Sequence, residues 1–334
     1  MRPGPAAAAP GTGEPVARIV ITGISGRLGR LLAQRLHQDH EILGLDRRGM
    51  VRKPRDIEVF AYDIRRKKCE GVFRNRRVDV LVHLNIMHDF RRPQHELHSW
   101  NVIGTQRLLD YAARYDVGKV VFLSTANVYG ARPDNPQFLA EDSPLMGGER
   151  FSEMGSLVAV DMLLSTFFWR RPDLETVVLR PAHIVGSVRN GPSLYLSMPV
   201  IPTVMGFDPV LQIVHEEDVV EALALAANAP VRGVFNVAGA GALPLSVLIR
   251  TLGRRSLPLP YPVLKALLTR AWEMGVTEMP APELDFLRYP CLVDDRRARA
   301  ELGYRPRRSL RETLDLIRSG DPYAERLSRH PDGR

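Results

Sequence analysis

Residues 18–29 read RIVITGISGRLG, a short apolar run closed by three glycines, Gly23, Gly26 and Gly29. The run at 18–22 carries no polar alternation, as a strand buried on both faces does. Residues 27–37 follow with Leu28, Leu31, Leu32 and Leu36 at helical spacing. Strand, glycine turn and helix in that order make a site for an anion. Gly23 allows the tight turn, Gly26 lets main chain approach a diphosphate, and Gly29 lets the helix pack on the strand. The helix N-terminus, from Ser25 through Arg27 and Leu28, then stabilises negative charge. The second apolar run, 41–46 (EILGLD), ends on Asp46, which is placed to accept hydrogen bonds from the ribose hydroxyls of a dinucleotide. The competing reading, a chance glycine turn with an unrelated aspartate, does not account for the strand before and the helix after. Asp46 would repel a 2′-phosphate and so favours NAD; Arg47 and Arg48 could neutralise one, which keeps NADP as the alternative.

Further runs at 57–62, 78–84, 119–124 and 175–179 are strand candidates, separated by helical patterns at 101–113 and 155–169. This alternation predicts an α/β fold, a Rossmann-type doubly wound parallel sheet. Beyond Arg180 the pattern changes. Residues 192–209 and 257–262 are rich in proline and poor material for a regular sheet. Residues 212–215, 216–228 and 233–237 read as a return to the parallel sheet. Helices are expected at 245–252, 261–274 and 310–317; the second reads as packed against its own core, with an apolar wall or a membrane-facing helix as the alternative. The organisation expected is a flexible tail at 1–16, a Rossmann domain at 17–180 rejoined by 211–240, a smaller interrupted substrate lobe at 181–210 and 241–320, and a second tail at 321–334.

In 334 residues, 45% are hydrophobic and 25% charged, which excludes wholesale disorder and fibrous classes. No run approaches a membrane span. Two widely separated cysteines, Cys69 and Cys291, argue against a disulfide framework and a metal site, and fit a reducing cytoplasm. The net charge of +8 gathers in arginine clusters such as Arg65-Arg66-Lys67-Lys68 and Arg74-Asn75-Arg76-Arg77. A solvated basic face explains these better than a nucleic-acid partner, because a charge run alone carries no recognition chemistry.

From Ala17 to Ile317 the chain resembles the extended short-chain dehydrogenase/reductase family, also called the NAD-dependent epimerase/dehydratase family. TGISGRLG resembles its glycine motif, and Asp63-Ile64 its adenine-contacting pair. VDVLVHL is similar to its fourth strand, with Leu84 and then Asn85 where a small residue is usual. NVIGTQRLL, with Asn101, resembles its central helix. LSTANVYG resembles the strand that carries a catalytic serine or threonine, which puts Thr125 in that role. LRPAHIVG, VHEEDVVEA and the ending ARAELGYRPRRSLRETL resemble later landmarks. The resemblance implies a bound NAD, a small-molecule substrate and a homodimer joined through a helix bundle.

One part of the pattern is missing. The family's Tyr-x-x-x-Lys pair, whose tyrosine shuttles a proton and whose lysine lowers the tyrosine pKa, should open the helix that ends near Leu164. The chain has no tyrosine between Tyr129 and Tyr195 and no lysine between Lys119 and Lys265. Alignment on VAVDMLL puts Glu153 at the tyrosine and Leu157 at the lysine. Glu153 is therefore the candidate base, or an acid if burial raises its pKa; an ordinary solvent-facing glutamate is the competing reading. Tyr115 and Lys119 have the right spacing but precede the catalytic strand, on the wrong side of the sheet. The family's substrate-gripping arginine is absent before VHEED, and His183 stands where asparagine is common, so a nucleotide sugar is disfavoured and a less polar substrate stays open. The expectation is an NAD(P)-dependent epimerase/dehydratase or oxidoreductase-like protein with an atypical site. The alternative is a non-catalytic NAD(P)-binding sensor or scaffold.

Overall fold

The structure, a computed structural model, describes residues 17–50, 53–188, 190–277 and 279–319. The expected tails fall outside the described residues. The strands in chain order are β1 (Arg18–Thr22), β2 (Glu41–Asp46), β3 (Glu58–Ala61), β4 (Val80–His83), β5 (Lys119–Leu123) and β6 (Glu175–Pro181). Then come β7 (His183–Val185), β8 (Val200–Val204), β9 (Val210–His215), β10 (Gly233–Val237), β11 (Ala242–Pro244) and β12 (Arg255–Leu259). Seven of them form one parallel sheet in the order β10-β6-β5-β4-β1-β2-β3. The chain winds outward from β1 in both directions, so a crevice opens at the carboxyl ends of β1 and β4. This is the Rossmann-type fold expected from the alternating runs.

Each strand feeds both faces. Ile19 and Ile21 enter a core shared with Leu32 and Leu36 of the helix Arg27–Leu36 and with Leu223 of Glu216–Asn228. Val20, between them, enters the opposite core with Leu108 and Val160, from the helices Gly104–Arg114 and Gly155–Arg170. Period-two side-chain alternation thus supplies two cores from continuous apolar runs.

The second lobe departs from expectation in three places. Strand β9 does not rejoin the large sheet; it sits between β7 and β11 in a three-stranded sheet. The sequence reads alike because both sheets bury their strands, and only Glu216–Asn228 and β10 return. Residues 200–204 and 255–259 pair as a parallel ribbon despite Pro202 and Pro258. A two-stranded ribbon leaves one edge of each strand unpaired, where a missing N–H costs nothing. The helix Tyr261–Glu273 packs against the second lobe's core along one narrow stripe only, with Tyr261 and Leu268 half-buried beside Leu264. Leu264 alone is buried, while Val263 and Leu267 stand exposed.

Candidate functional site

The glycine turn closes β1 at the crevice. Gly23 has φ +73°, and its N–H donates to Leu45 O at 2.8 Å, tying the turn to β2. A Cβ on Gly29 would lie 2.4 Å from Gly23 O and 2.7 Å from Ile24 Cα, so the helix approaches the strand only because that side chain is missing. Gly26 caps the helix without a side chain, leaving its first amides open. The buried Asp46 carboxylate accepts from Ser25 N at 3.2 Å and Arg48 N at 2.9 Å. Arg27 is turned away to Glu216, with contacts of 2.6 and 2.9 Å.

Behind the turn, His83 is sealed between two threonines. Thr22 Oγ1 accepts from Leu84 N and Asn85 N, so its own proton goes to His83 Nδ1, 2.7 Å away. His83 Nε2 then donates to Thr105 Oγ1 at 2.8 Å. Burial pushes this imidazole down to about 3 from an ordinary 6.5. Between those values the unfolded chain binds a proton that the folded one refuses. Stability is therefore flat above pH ~6.5 and falls as the pH drops towards 3. Urea unfolding at pH 4.5 against pH 7 is expected to show a loss of about 2–3 kcal/mol from this group, and His83→Gln should remove that part of the difference.

Three of the expected ligand contacts have other employment. Asn101 is fully buried: its Oδ1 accepts from Met87 N, and its Nδ2 donates to Met87 O and Ser156 Oγ. It clamps the loop after β4 and does not reach the cleft. Ile64 is also fully buried and offers no surface to a ligand. Asp63 is gripped by the guanidinium and amide of Arg65; burial pulls its pKa up, but those bonds win and hold it below the usual carboxylate range. Arg65 and the exposed Arg47 both lie over the Trp100 ring, at 4.7 and 5.3 Å. Elsewhere the basic runs pair in place: Arg76 with Glu58, Arg77 with Asp79, and Arg92 with Asp89. Asn85 differs: its main chain lies beside Gly23, and its Nδ2 is buried with no acceptor among the described residues.

Thr125 follows β5 at the carboxyl edge, half-buried, its Oγ1 accepting from Asn127 N at 3.2 Å. A network that the sequence reading did not anticipate lies behind it. Asp161, on Gly155–Arg170, takes a bidentate bond from Arg180 at 2.5 and 3.0 Å and a bond from Ser124 Oγ at 2.6 Å. Arg180 also donates to Tyr129 Oη, which donates to Asn236 Oδ1, each at 2.8 Å. Tyr129 is the tyrosine nearest Thr125, yet it faces inward, and burial pushes its phenol up to about 12 despite Arg180. It does not replace the missing tyrosine. Glu153 is half-buried and accepts from its neighbour Ser152 Oγ at 2.9 Å. Leu157 is buried with Val128 and Phe151, so apolar packing occupies the lysine's place. Tyr115 and Lys119 lie at the opposite end of β5, with Tyr115 donating to Glu70 and Lys119 paired with Glu175.

Two residues beyond Thr125, Asn127 borders a hollow shared with the second lobe. A narrow cavity of about 60 Å³ lies between β7, β9, the helix Gly191–Ser197 and the turn Ala281–Leu287. Its polar side chains are those of Asn127, His183, Tyr195 and Glu283. Nothing in the sequence pattern singles out Glu283. Among the described residues no cluster of His, Cys, Asp or Glu could hold a metal ion, and no helix is long and apolar enough to cross a membrane.

The likenesses to known proteins agree with this arrangement. An uncharacterized protein of Mycobacterium tuberculosis is 32% identical over 310 residues, covering 89% of this chain and 82% of the relative. The UDP-glucose 4-epimerase of Thermotoga maritima, solved with UDP-glucose, is similar in fold, with a TM-score of 0.71 at 20% identity over 94% of this chain and 100% of that one. That of Thermus thermophilus, solved with NAD, gives 0.70 at 21% over 90% and 98%. The model of the NAD dependent epimerase/dehydratase family matches residues 19–238, most of the chain and the whole of the seven-stranded sheet. The chain belongs to the NAD dependent epimerase/dehydratase family.

Proposed function

We propose that this protein is an NAD-dependent oxidoreductase or epimerase acting on a small molecule, with its proton chemistry arranged without the Tyr-x-x-x-Lys pair. The observation that carries the reading is the cradle, where Gly29 has no room for a side chain and Gly26 caps the helix with its first amides open. The residues fit the cofactor. Amides at the start of Arg27–Leu36 would hold the diphosphate, and Asp46 would take the adenosine ribose. When bound, the nicotinamide supplies the hydride acceptor or donor. Thr125 Oγ1 already accepts from Asn127 N, so its proton is free to donate to a substrate oxygen and orient it. Glu153, aligned with the missing tyrosine, is the candidate for the proton itself. Exposed Met162 and Trp169, on Gly155–Arg170, offer an apolar face for a second copy.

The second reading, a dinucleotide sensor without turnover, is favoured by Leu157, which packs where a cation would lower a phenol's pKa. Turnover separates the two. With NAD and a panel of alcohols, or NADH and a panel of ketones, an oxidoreductase shows a nicotinamide absorbance change that falls at least ~100-fold in Thr125→Ala, with NADH affinity retained. Binding with no change across the panel supports the sensor. An unaltered rate in Glu153→Gln removes Glu153 from the mechanism.

A further inference from the structure

The cavity beyond Thr125 is walled by Leu196, Leu211, Ile213 and Phe286, and among the described residues no arginine or lysine lines it. A diphosphate would have to leave water for such walls without a counter-charge, which is strongly unfavourable. The Tyr195 hydroxyl is spent on Pro202 O at 2.8 Å. His183 packs edge-on against Phe286, with centroids 5.5 Å apart, and its apolar setting pushes it down to about 4, so it is neutral at ordinary pH. Glu283 has no hydrogen-bond or ionic partner among the described residues. Its Oε2 lies 3.2 Å from where a Cβ on Gly191 would sit, so the bare backbone there leaves the carboxyl its place. Asn127 joins the two regions, lining the cavity with its side while its amide serves Thr125.

Resting on the function proposed above, we infer that this cavity is the inner substrate subsite, that it takes an uncharged, hydrocarbon-rich alcohol or ketone, and that Glu283 anchors the ligand's oxygen. Glu283 is a specificity-determining group here, because an unpartnered carboxyl in apolar walls rewards a ligand that can hydrogen-bond with it and penalises an anion. Burial raises its pKa to about 7, so near neutrality it can both donate to a ketone and accept from an alcohol. At about 60 Å³ the closed part receives one end of the ligand and leaves the remainder in the open cleft towards Thr125.

The test is calorimetry on the full chain, first with NADH and then, on the NADH-loaded protein, with 2-decanol, 2-decanone and UDP-glucose. The expected result is heat from the alcohol and ketone and none from UDP-glucose. Glu283→Leu should weaken 2-decanol by about tenfold or more. Glu283→Gln, which keeps a donor and an acceptor, should stay within about threefold, and Leu211→Trp, which fills the cavity, should abolish binding. NADH affinity should be unchanged in all three, which also reports that each variant folds. Should Glu283→Leu fail to fold, Leu211→Trp and Glu283→Gln carry the test. UDP-glucose binding while 2-decanol is silent would overturn the inference, as would 2-decanol affinity indifferent to both Glu283→Leu and Leu211→Trp. Loss of NADH binding in the parent protein would instead overturn the function proposed above, and NADH binding without 2-decanol binding would sink the subsite alone.

Discussion

Replacing Arg180 with alanine is expected to destabilise the fold by about 3–5 kcal/mol, the usual consequence of leaving a buried charge without its partner. Asp161 is fully buried and Arg180 nearly so, and their two bonds neutralise both ends. Without the guanidinium, the Asp161 carboxylate keeps only Ser124, and both Tyr129 Oη and Glu141 O lose a donor. Replacing both ends of the pair by apolar groups of similar size, as in Asp161→Leu with Arg180→Met, should recover most of that loss, since no lone charge is then left in the core. Urea unfolding of the two single variants and the double variant measures the difference. A single Arg180→Ala costing under about 1 kcal/mol would mean that water reaches Asp161 and that the network does not brace the end of β5.

Gly29→Ala is expected to lower NADH affinity by about a hundredfold and to cost about 1–3 kcal/mol of stability. The new Cβ would sit 2.4 Å from Gly23 O and 2.7 Å from Ile24 Cα, both main-chain atoms held by β1 and the turn. The helix has to back away, carrying the first amides off the diphosphate. Gly26→Ala is the matched control. Its Cβ would meet only Gly23 O, at 3.1 Å, so the fold should tolerate it. That methyl nonetheless stands where the ligand approaches the backbone, so affinity should fall with little loss of stability. Unfolding and NADH titration, run on both variants, read the two quantities separately. Equal behaviour of the two glycines would show that packing and ligand approach are not divided between them.

The large sheet was legible because its signals are local and redundant. An apolar run, a glycine spacing and an acidic strand end together define β1, the turn and β2, and all three lie within residues 18–46. The second lobe was less legible because a buried strand looks the same whichever sheet it joins, as β9 shows. How much of Tyr261–Glu273 is covered could not be read for a related reason: apolar spacing reports a helix, and only Leu264, Tyr261 and Leu268 reach the core while Val263 and Leu267 stay exposed. In the site, glycines and Asp46 could be read from spacing, whereas Asn101 and Ile64 could not be told from ligand contacts until their burial was known. Glu283 was invisible, since its meaning comes from walls contributed by β7, β9 and Gly191–Ser197, all distant in sequence. Leu157 carried its message by absence, and the structure fills that place with packing.

The central claim is a dinucleotide seated at the glycine turn with its ribose on Asp46, and calorimetric titration of the purified chain with NADH and NADPH tests it directly. Micromolar NADH binding, near −8 kcal/mol, with NADPH at least about tenfold weaker and the gap narrowed in Asp46→Ala, is the predicted result. Folded protein that gives no heat with NAD, NADH, NADP or NADPH would contradict it.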